Sequence, residues 1–207
     1  MITLVDYKAG NLTSVQRALT RLGIPSQISA DPDAVRRADK IIFPGVGAAG
    51  AAMSVLRERG LDSALKESFA KGTPILGICI GCQIILEHSE EDDAECLGLL
   101  TGKTVRFGRG AGWNSALLKI PHMGWNAVTV TQPHPLLAHL RPGDEFYFVH
   151  SFYPQPADPS QIYAVSDYGG EFPVAIGSNN LFAVQFHTEK SGTVGLKVLE
   201  NFANWKI

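Results

Sequence analysis

Short apolar runs and helical stripes alternate through the first half of the chain. Ile2-Thr-Leu-Val5 reads as a strand buried on both faces. Asn11 opens a stretch with Leu12, Val15, Leu19 and Leu22 at helical spacing, closed by Gly23. Gln27–Ala30 and Lys40–Phe43 predict two more strands, the latter ending at Pro44-Gly-Val-Gly47. Helical patterns follow at Ala51–Arg59 and Asp62–Ala70. Pro74–Cys79 is the next buried strand, running directly into an apolar helix over Ile80–Glu87. Strands joined by helical crossovers imply an α/β fold whose central, mostly parallel sheet is flanked by helices.

The second half changes character. Thr104–Phe107, Ala127–Thr131, Glu145–His150, Ile162–Ser166, Val174–Gly177 and Leu181–His187 are strand-like, and many are bounded by Pro or Gly. With little helix between them, they predict an antiparallel extension grafted on the parallel sheet. Ser191 is expected to cap a last helix with Val194, Val198, Phe202 and Trp205 along one side. No repeat, low-complexity segment or long linker divides the chain, so residues 1–207 read as one domain.

Composition narrows the class. Of the 207 residues 45% are hydrophobic and 18% charged, a mix too apolar for disorder. A net charge of −2 leaves no basic excess for holding nucleic-acid backbones. Met1-Ile-Thr-Leu-Val-Asp6 lacks the basic region of a signal peptide. The longest uncharged stretch, Ile41–Leu56, is broken by Pro44, Gly45, Gly47 and Gly50 and is short for a bilayer. Three cysteines without framework spacing suit a reducing cytoplasm.

Gly77-Ile-Cys79-Ile-Gly81 carries the strongest chemical signal. A Cys between a buried strand and a helix, with Gly two places before and after, has the layout of a nucleophile elbow. The helix N-terminus at Ile80 favours a thiolate and offers N–H groups to an oxyanion. Two plainer readings compete. Cys is often a core residue, and Cys79-Ile-Gly-Cys82 could be a redox or metal pair. The first is weakened by the matched glycines. The second lacks another CxxC or a His at ligand spacing, so no metal is assigned.

A thiolate nucleophile needs a base, and the base an orienting group. His187-Thr-Glu189 closes the last predicted strand, where residues two apart on extended chain point the same way. Glu189 can then orient the His187 imidazole and stabilise its charged form. His88, His122, His134, His139 and His150 have no carboxylate at this spacing and default to structural roles.

Gly77-Ile-Cys79-Ile-Gly81-Cys-Gln83 and His187-Thr-Glu189 resemble the G-x-C-x-G-x-Q and H-P-E signatures of the class I, triad-type glutamine amidotransferases. Within that family the chain is similar to the glutaminase subunits of imidazole glycerol phosphate synthase. That narrower likeness rests on Asp6-Tyr-Lys-Ala-Gly-Asn11, Pro44-Gly-Val-Gly47, Pro121-His-Met-Gly-Trp-Asn126, Tyr147-Phe-Val-His-Ser151 and His187-Thr-Glu-Lys-Ser191. The resemblance implies a flavodoxin-like layered fold and no cofactor. It implies Cys79 as nucleophile, His187 as base and acid, Glu189 as orienter, and backbone N–H groups at Gly45-Val46 and Ile80 as oxyanion hole. Gly47, Gln83, Glu91, Ser151 and Phe152 would hold glutamine. Asn11, Trp125, Tyr147 and Lys190 would lie at a tunnel mouth facing a separate (β/α)8-barrel cyclase subunit in a heterodimer. Plainer roles exist for these four: a helix cap for Asn11, core aromatics for Trp125 and Tyr147, a solvated charge for Lys190. Thr188 departs from the family's usual Pro, and the triad is expected to tolerate it. Other readings are a glutaminase feeding another synthase, such as pyridoxal phosphate synthase, and a non-catalytic amidotransferase-like binding module.

Overall fold

A computed structural model of the chain describes residues 1–8, 10–108 and 113–207. Ala9, within the Asp6–Asn11 string, lies outside them. The first half runs β1 (Ile2–Val5), α1 (Leu12–Arg21), β2 (Ser26–Ser29), α2 (Pro32–Arg36), β3 (Lys40–Gly45), α3 (Ala49–Glu58), α4 (Leu61–Ala70), β4 (Ile75–Cys79) and α5 (Ile80–Gln83). Short strands β5 (His88–Ser89) and β6 (Ala94–Glu95) precede β7 (Gly102–Arg106), β8 (His122–Ala127) and β9 (Thr129–Val130). The chain ends with β10 (Glu145–His150), β11 (Phe152–Pro156), β12 (Ile162–Asp167), β13 (Glu171–Ser178), β14 (Leu181–Val184) and α6 (Gly192–Asn204).

An eight-stranded sheet in the order β2-β1-β3-β4-β14-β13-β12-β9 organises the molecule. Its first five strands are mutually parallel and the rest antiparallel. The α/β reading with an antiparallel extension therefore holds. One face packs Leu4, Ile42, Leu76 and Ile78 against Val15 and Leu19 of α1 and Val198, Leu199 and Phe202 of α6. The other packs Val5, Ile41, Phe43 and Ile75 against Met53 and Leu56 of α3 and Leu65 of α4. Because a strand's side chains alternate, these two cores require the continuous apolar runs seen in the sequence.

Several elements depart from the expectations. The helix foreseen to Glu87 stops at Gln83. Ile84, Ile85 and Leu86 are all fully buried, leaving that helix no polar face. The carbonyls of Ile84, Ile85 and Leu86 instead accept N–H groups from Leu97, Leu99 and Gly98. Strand β8 was not foreseen, since Gly124 and Asn126 are poor strand formers. It pairs with β10 from His122↔His150 to Ala127↔Glu145. Strand β11 contains Pro154 and Pro156, which it tolerates as the edge of a four-stranded sheet, β11-β7-β5-β6. Ser191 does not cap α6 with its side chain. Its hydroxyl donates to the His187 carbonyl at 2.6 Å and accepts the Tyr147 N–H at 3.0 Å.

The parallel registers bring three carboxyl ends together. Gly45 lies opposite Cys79, and Val184 opposite Ile78, so Gln185 emerges beside the cysteine. This edge of a parallel sheet is where α/β folds place their chemistry. A Cβ at position 81 would come 1.9 Å from the Phe43 carbonyl oxygen, a backbone atom that cannot swing away. Gly81→Ala is accordingly expected to lower unfolding free energy by about 3 kcal/mol or more. Urea denaturation measures this, and a change within about 0.5 kcal/mol would contradict the packing.

Candidate active site

Cys79 ends β4 with φ 55° and ψ −107°, and α5 begins at the next residue. A positive φ at a residue with a side chain is strained. Its neighbours lock it there: a Cβ on Gly77 would meet the Gly81 carbonyl oxygen at 2.8 Å, and Gly81 has no room for one. The elbow expected from the glycine spacing is thus present.

His187 follows β14 and is fully buried. The segment Thr188–Lys190 is a 3₁₀ turn, so Glu189 reaches the imidazole around a tight turn and not by strand alternation as expected. The result is the same contact: His187 Nδ1 lies 2.8 Å from Glu189 Oε1. Asn11 Nδ2 donates to that oxygen at 2.5 Å and lies 3.4 Å from His187 Nδ1. Asn11 occupies the N-cap position of α1, but its side chain makes no cap hydrogen bond there and is spent on Glu189 instead. Thr188 is buried in place of Pro without disturbing the pair.

Burial opposes a charge on His187, but the neighbouring Cys79 sulfur and then the Glu189 carboxylate outweigh it and raise the imidazole to about 9. For Glu189 burial likewise opposes ionisation, yet His187 and Asn11 hold the carboxyl below its ordinary value. Nε2 of His187 is buried without a partner in hydrogen-bond geometry. It is the ring nitrogen left to exchange a proton with Cys79 or a leaving group, because Glu189 occupies Nδ1.

Beside the cysteine lies a cavity of about 250 Å³. Val46, Gly47, Cys79, Ile80, Gln83, Glu91, Ser151 and Phe152, all singled out from sequence, line it, together with Pro121, Val149 and His150, which were not. Gly45 stands at the end of β3 against Cys79. Glu91 is half-buried and accepts the Ala49 N–H at 2.9 Å. Burial raises its carboxyl above the ordinary value, Ala49 opposes this, and Asp92 adds to it. Gln83 Nε2 donates to the Phe152 carbonyl at 2.8 Å and to Gln185 Oε1 at 3.0 Å. Both its amide hydrogens are committed, which leaves Gln83 only a carbonyl oxygen to offer a ligand. Together with Glu91 it forms a wall of acceptors suited to an ammonium group.

The remaining predicted residues cluster outside this cavity. Trp125, 54% exposed, meets Tyr147 edge-on with ring centroids 6.2 Å apart, and Lys190 Nζ sits 5.8 Å from the Tyr147 ring centroid. Tyr147 in turn lies 6.4 Å from the His187 ring. Trp125 is therefore no core aromatic, and Met123 beside it on the same face of β8 is 62% exposed.

Sequence reasoning missed a second set of polar groups. His150 Nδ1 bonds the Phe152 carbonyl at 2.8 Å, His150 Nε2 faces His122 Nδ1 at 2.9 Å, and Asn126 Nδ2 meets His122 Nε2 at 3.3 Å. Burial lowers His122 to about 4 and His150 to about 3, so both stay neutral. Gln185, fully buried, places Nε2 3.8 Å from the Cys79 sulfur. Its only sequence signal was an amide interrupting the apolar run Val184-Gln-Phe186. Cys82 is fully buried, with its thiol pushed up by burial and then by Cys79, and among the described residues no cluster could hold a metal ion.

Residues 3–205 match the family model described as glutamine amidotransferase class-I, and the chain belongs to that family. It is 49% identical over 205 residues to the imidazole glycerol phosphate synthase subunit HisH of Nitratidesulfovibrio vulgaris, covering 98% of this chain and 95% of that one. The HisH protein of Chromobacterium violaceum is 44% identical, with coverage of 99% and 97%. Among solved structures, PurLQS from Thermotoga maritima aligns with a TM-score of 0.74 at 21% identity, covering 98% of this chain and 97% of that one. That last likeness speaks for the fold.

Buried histidines also set a pH optimum for stability. His122 and His134 titrate near 4 and His150 near 3, below the roughly 6.5 of an unfolded histidine. Below that value the unfolded chain binds more protons, so stability falls with pH. His187, raised to about 9, stabilises fully below about 6.5 and loses its contribution as pH rises through 9. Melting temperature should therefore peak near neutral pH. His134→Phe should flatten the acid limb and Glu189→Gln the alkaline one; limbs that keep their slopes would refute the assignment.

Proposed function

We propose that this chain is the glutaminase subunit of an imidazole glycerol phosphate synthase. It hydrolyses glutamine to glutamate and ammonia and passes the ammonia to a (β/α)8-barrel cyclase subunit in histidine biosynthesis. Residues 1–207 act as one amidotransferase domain, in the cytoplasm and as a heterodimer. Among the described residues no helix is long and apolar enough to cross a membrane. The observation that carries the reading is the strained Cys79 beside a cavity of amino-acid size, served by the His187–Glu189–Asn11 array.

The chemistry follows from those groups. The Cys79 thiolate attacks the side-chain amide carbon of glutamine. The N–H groups of Ile80 and of the Gly45-Val46 turn receive the oxyanion. Nε2 of His187 gives its proton to the departing nitrogen, which leaves as ammonia, and a γ-glutamyl thioester remains. Neutral His187 then takes a proton from water, whose oxygen attacks the thioester, and collapse restores the thiolate with glutamate as product. Gln83 and Glu91 accept from the substrate ammonium, and backbone at Ser151 and Phe152 faces its carboxylate. Gly47, at φ 113°, lets the turn beside the sulfur close on the ligand. Trp125, Tyr147, Lys190 and the outer side of Asn11 face the cyclase, where ammonia leaves.

Two experiments test this. Cys79→Ser should abolish glutamine-dependent synthesis in the reconstituted complex while ammonia-driven synthesis by the cyclase persists, because a hydroxyl is far less ionised than a thiol. Retained glutamine hydrolysis would overturn the nucleophile. Val46→Pro deletes one proposed oxyanion donor and should lower kcat by about 10²- to 10³-fold, with alkylation of Cys79 by small reagents unchanged. An unaltered kcat would remove Val46 from the oxyanion hole.

A further inference from the structure

Gln185 belongs to no part of the triad, yet it touches both the nucleophile and a cavity-lining amide. Which end of its side chain faces the sulfur can be worked out from its neighbours. The Phe152 carbonyl can only accept. It receives Gln83 Nε2 at 2.8 Å and His150 Nδ1 at 2.8 Å, so both must be protonated nitrogens. With Gln83 turned this way, its second amide hydrogen meets Gln185 at 3.0 Å, which must be an oxygen. Gln185 therefore presents its NH₂ group to Cys79 at 3.8 Å. The histidines reinforce the same polarity. His150, protonated on Nδ1, accepts at Nε2 from His122 Nδ1–H, leaving His122 Nε2 to accept from Asn126 Nδ2. Asn126 Nδ2 also donates to the Asp167 carbonyl at 2.8 Å, which fixes the outer end. No amide or ring in this chain can reverse without placing two donors or two acceptors face to face.

We propose that Gln185 is a positioning residue for the nucleophile, donating an amide hydrogen to the Cys79 sulfur in a direction imposed by the Gln83–Phe152–His150–His122–Asn126 network. This rests on Cys79 as the nucleophile. The donor steadies the negative sulfur before attack and aims it, while His187 remains the group that moves protons. Gln185 is fully buried, so water does not compete for the sulfur at that position. The carbonyl of the same amide orients Gln83, coupling the wall that receives the substrate ammonium to the attacking atom.

The test uses Gln185→Glu, isosteric and without the donor when ionised, and Gln185→Met, similar in size and without either polar end. The rate of Cys79 alkylation by iodoacetamide is followed against pH by intact mass, with Cys79→Ser as background. kcat and KM for glutamine are measured in the reconstituted complex with its cyclase. Loss of a hydrogen bond to a charged sulfur should move the alkylation profile upward by about one pH unit, further for Glu than for Met. kcat at neutral pH should fall about tenfold, and KM should change less than about threefold. A profile that stays in place in a folded variant overturns the proposal and leaves Gln185 a packing residue. Alkylation reads the sulfur directly, so this outcome is separate from failure of the glutaminase reading, which Cys79→Ser decides.

Discussion

The Phe43 carbonyl leaves no space for a side chain at position 81, and the placement of Cys79 depends on that close approach. It presses the start of α5 onto β3, which is possible only because β3 and β4 run in register to their carboxyl ends. Gly45, opposite Cys79, is as crowded: a Cβ there would fall 1.8 Å from the Tyr7 hydroxyl. Between these two glycines Cys79 is held at φ 55°, a conformation costing of order 1–3 kcal/mol. The surrounding sheet, buried on both faces, supplies the rigidity that keeps the strain from relaxing. The sulfur is consequently lifted off the sheet edge and over the cavity.

The second consequence of that edge is where β14 ends. Its register with β4 delivers Gln185 beside the sulfur, and the chain then leaves the sheet. The His187 N–H donates to the Tyr147 carbonyl at 3.0 Å, while the Ser191 hydroxyl ties the His187 carbonyl to the Tyr147 N–H. His187 is thus clamped to β10 by its own backbone from both sides. The exposed Trp125 and the half-buried Tyr147 face each other on the same β8–β10 ribbon. Tyr147, whose side chain stands on that ribbon, is thus the residue whose backbone holds His187.

The parallel half of the fold was legible because its runs are apolar and its breaks are glycines. The elbow was legible because only glycine satisfies the contacts at 77 and 81. What stayed hidden depended on pairing between distant segments. Strand β8 has poor strand formers, and it is fixed by six register partners on β10 that no local pattern announces. The helix after Ile80 looked long from its apolar spacing, but carbonyls claimed by residues 96–100 ended it after one turn. The contact between Glu189 and His187 was foreseen through the wrong geometry, since a 3₁₀ turn and a strand both bring residues two apart within reach. His122, His150 and Gln185 were passed over because their partners lie in other elements and no spacing reveals them.

Two buried polar systems meet at the cysteine, and they are built on opposite principles. On one side His187 and Glu189 share charge, each holding the other ionised against the cost of burial. On the other, Gln83, Gln185, His150, His122 and Asn126 form a chain of neutral groups. A second imidazolium beside the cavity would repel the charge on His187. Burial without a carboxylate removes that hazard, because His122 and His150 titrate far below neutral pH. Neutral groups can still be strongly oriented, since each must donate where the next accepts. The charged side can then exchange protons with the reacting atoms while the neutral side keeps its polarity. In the proposed mechanism a proton moves at one nitrogen while the surrounding groups stay fixed, and the two networks on either side of the sulfur divide that task.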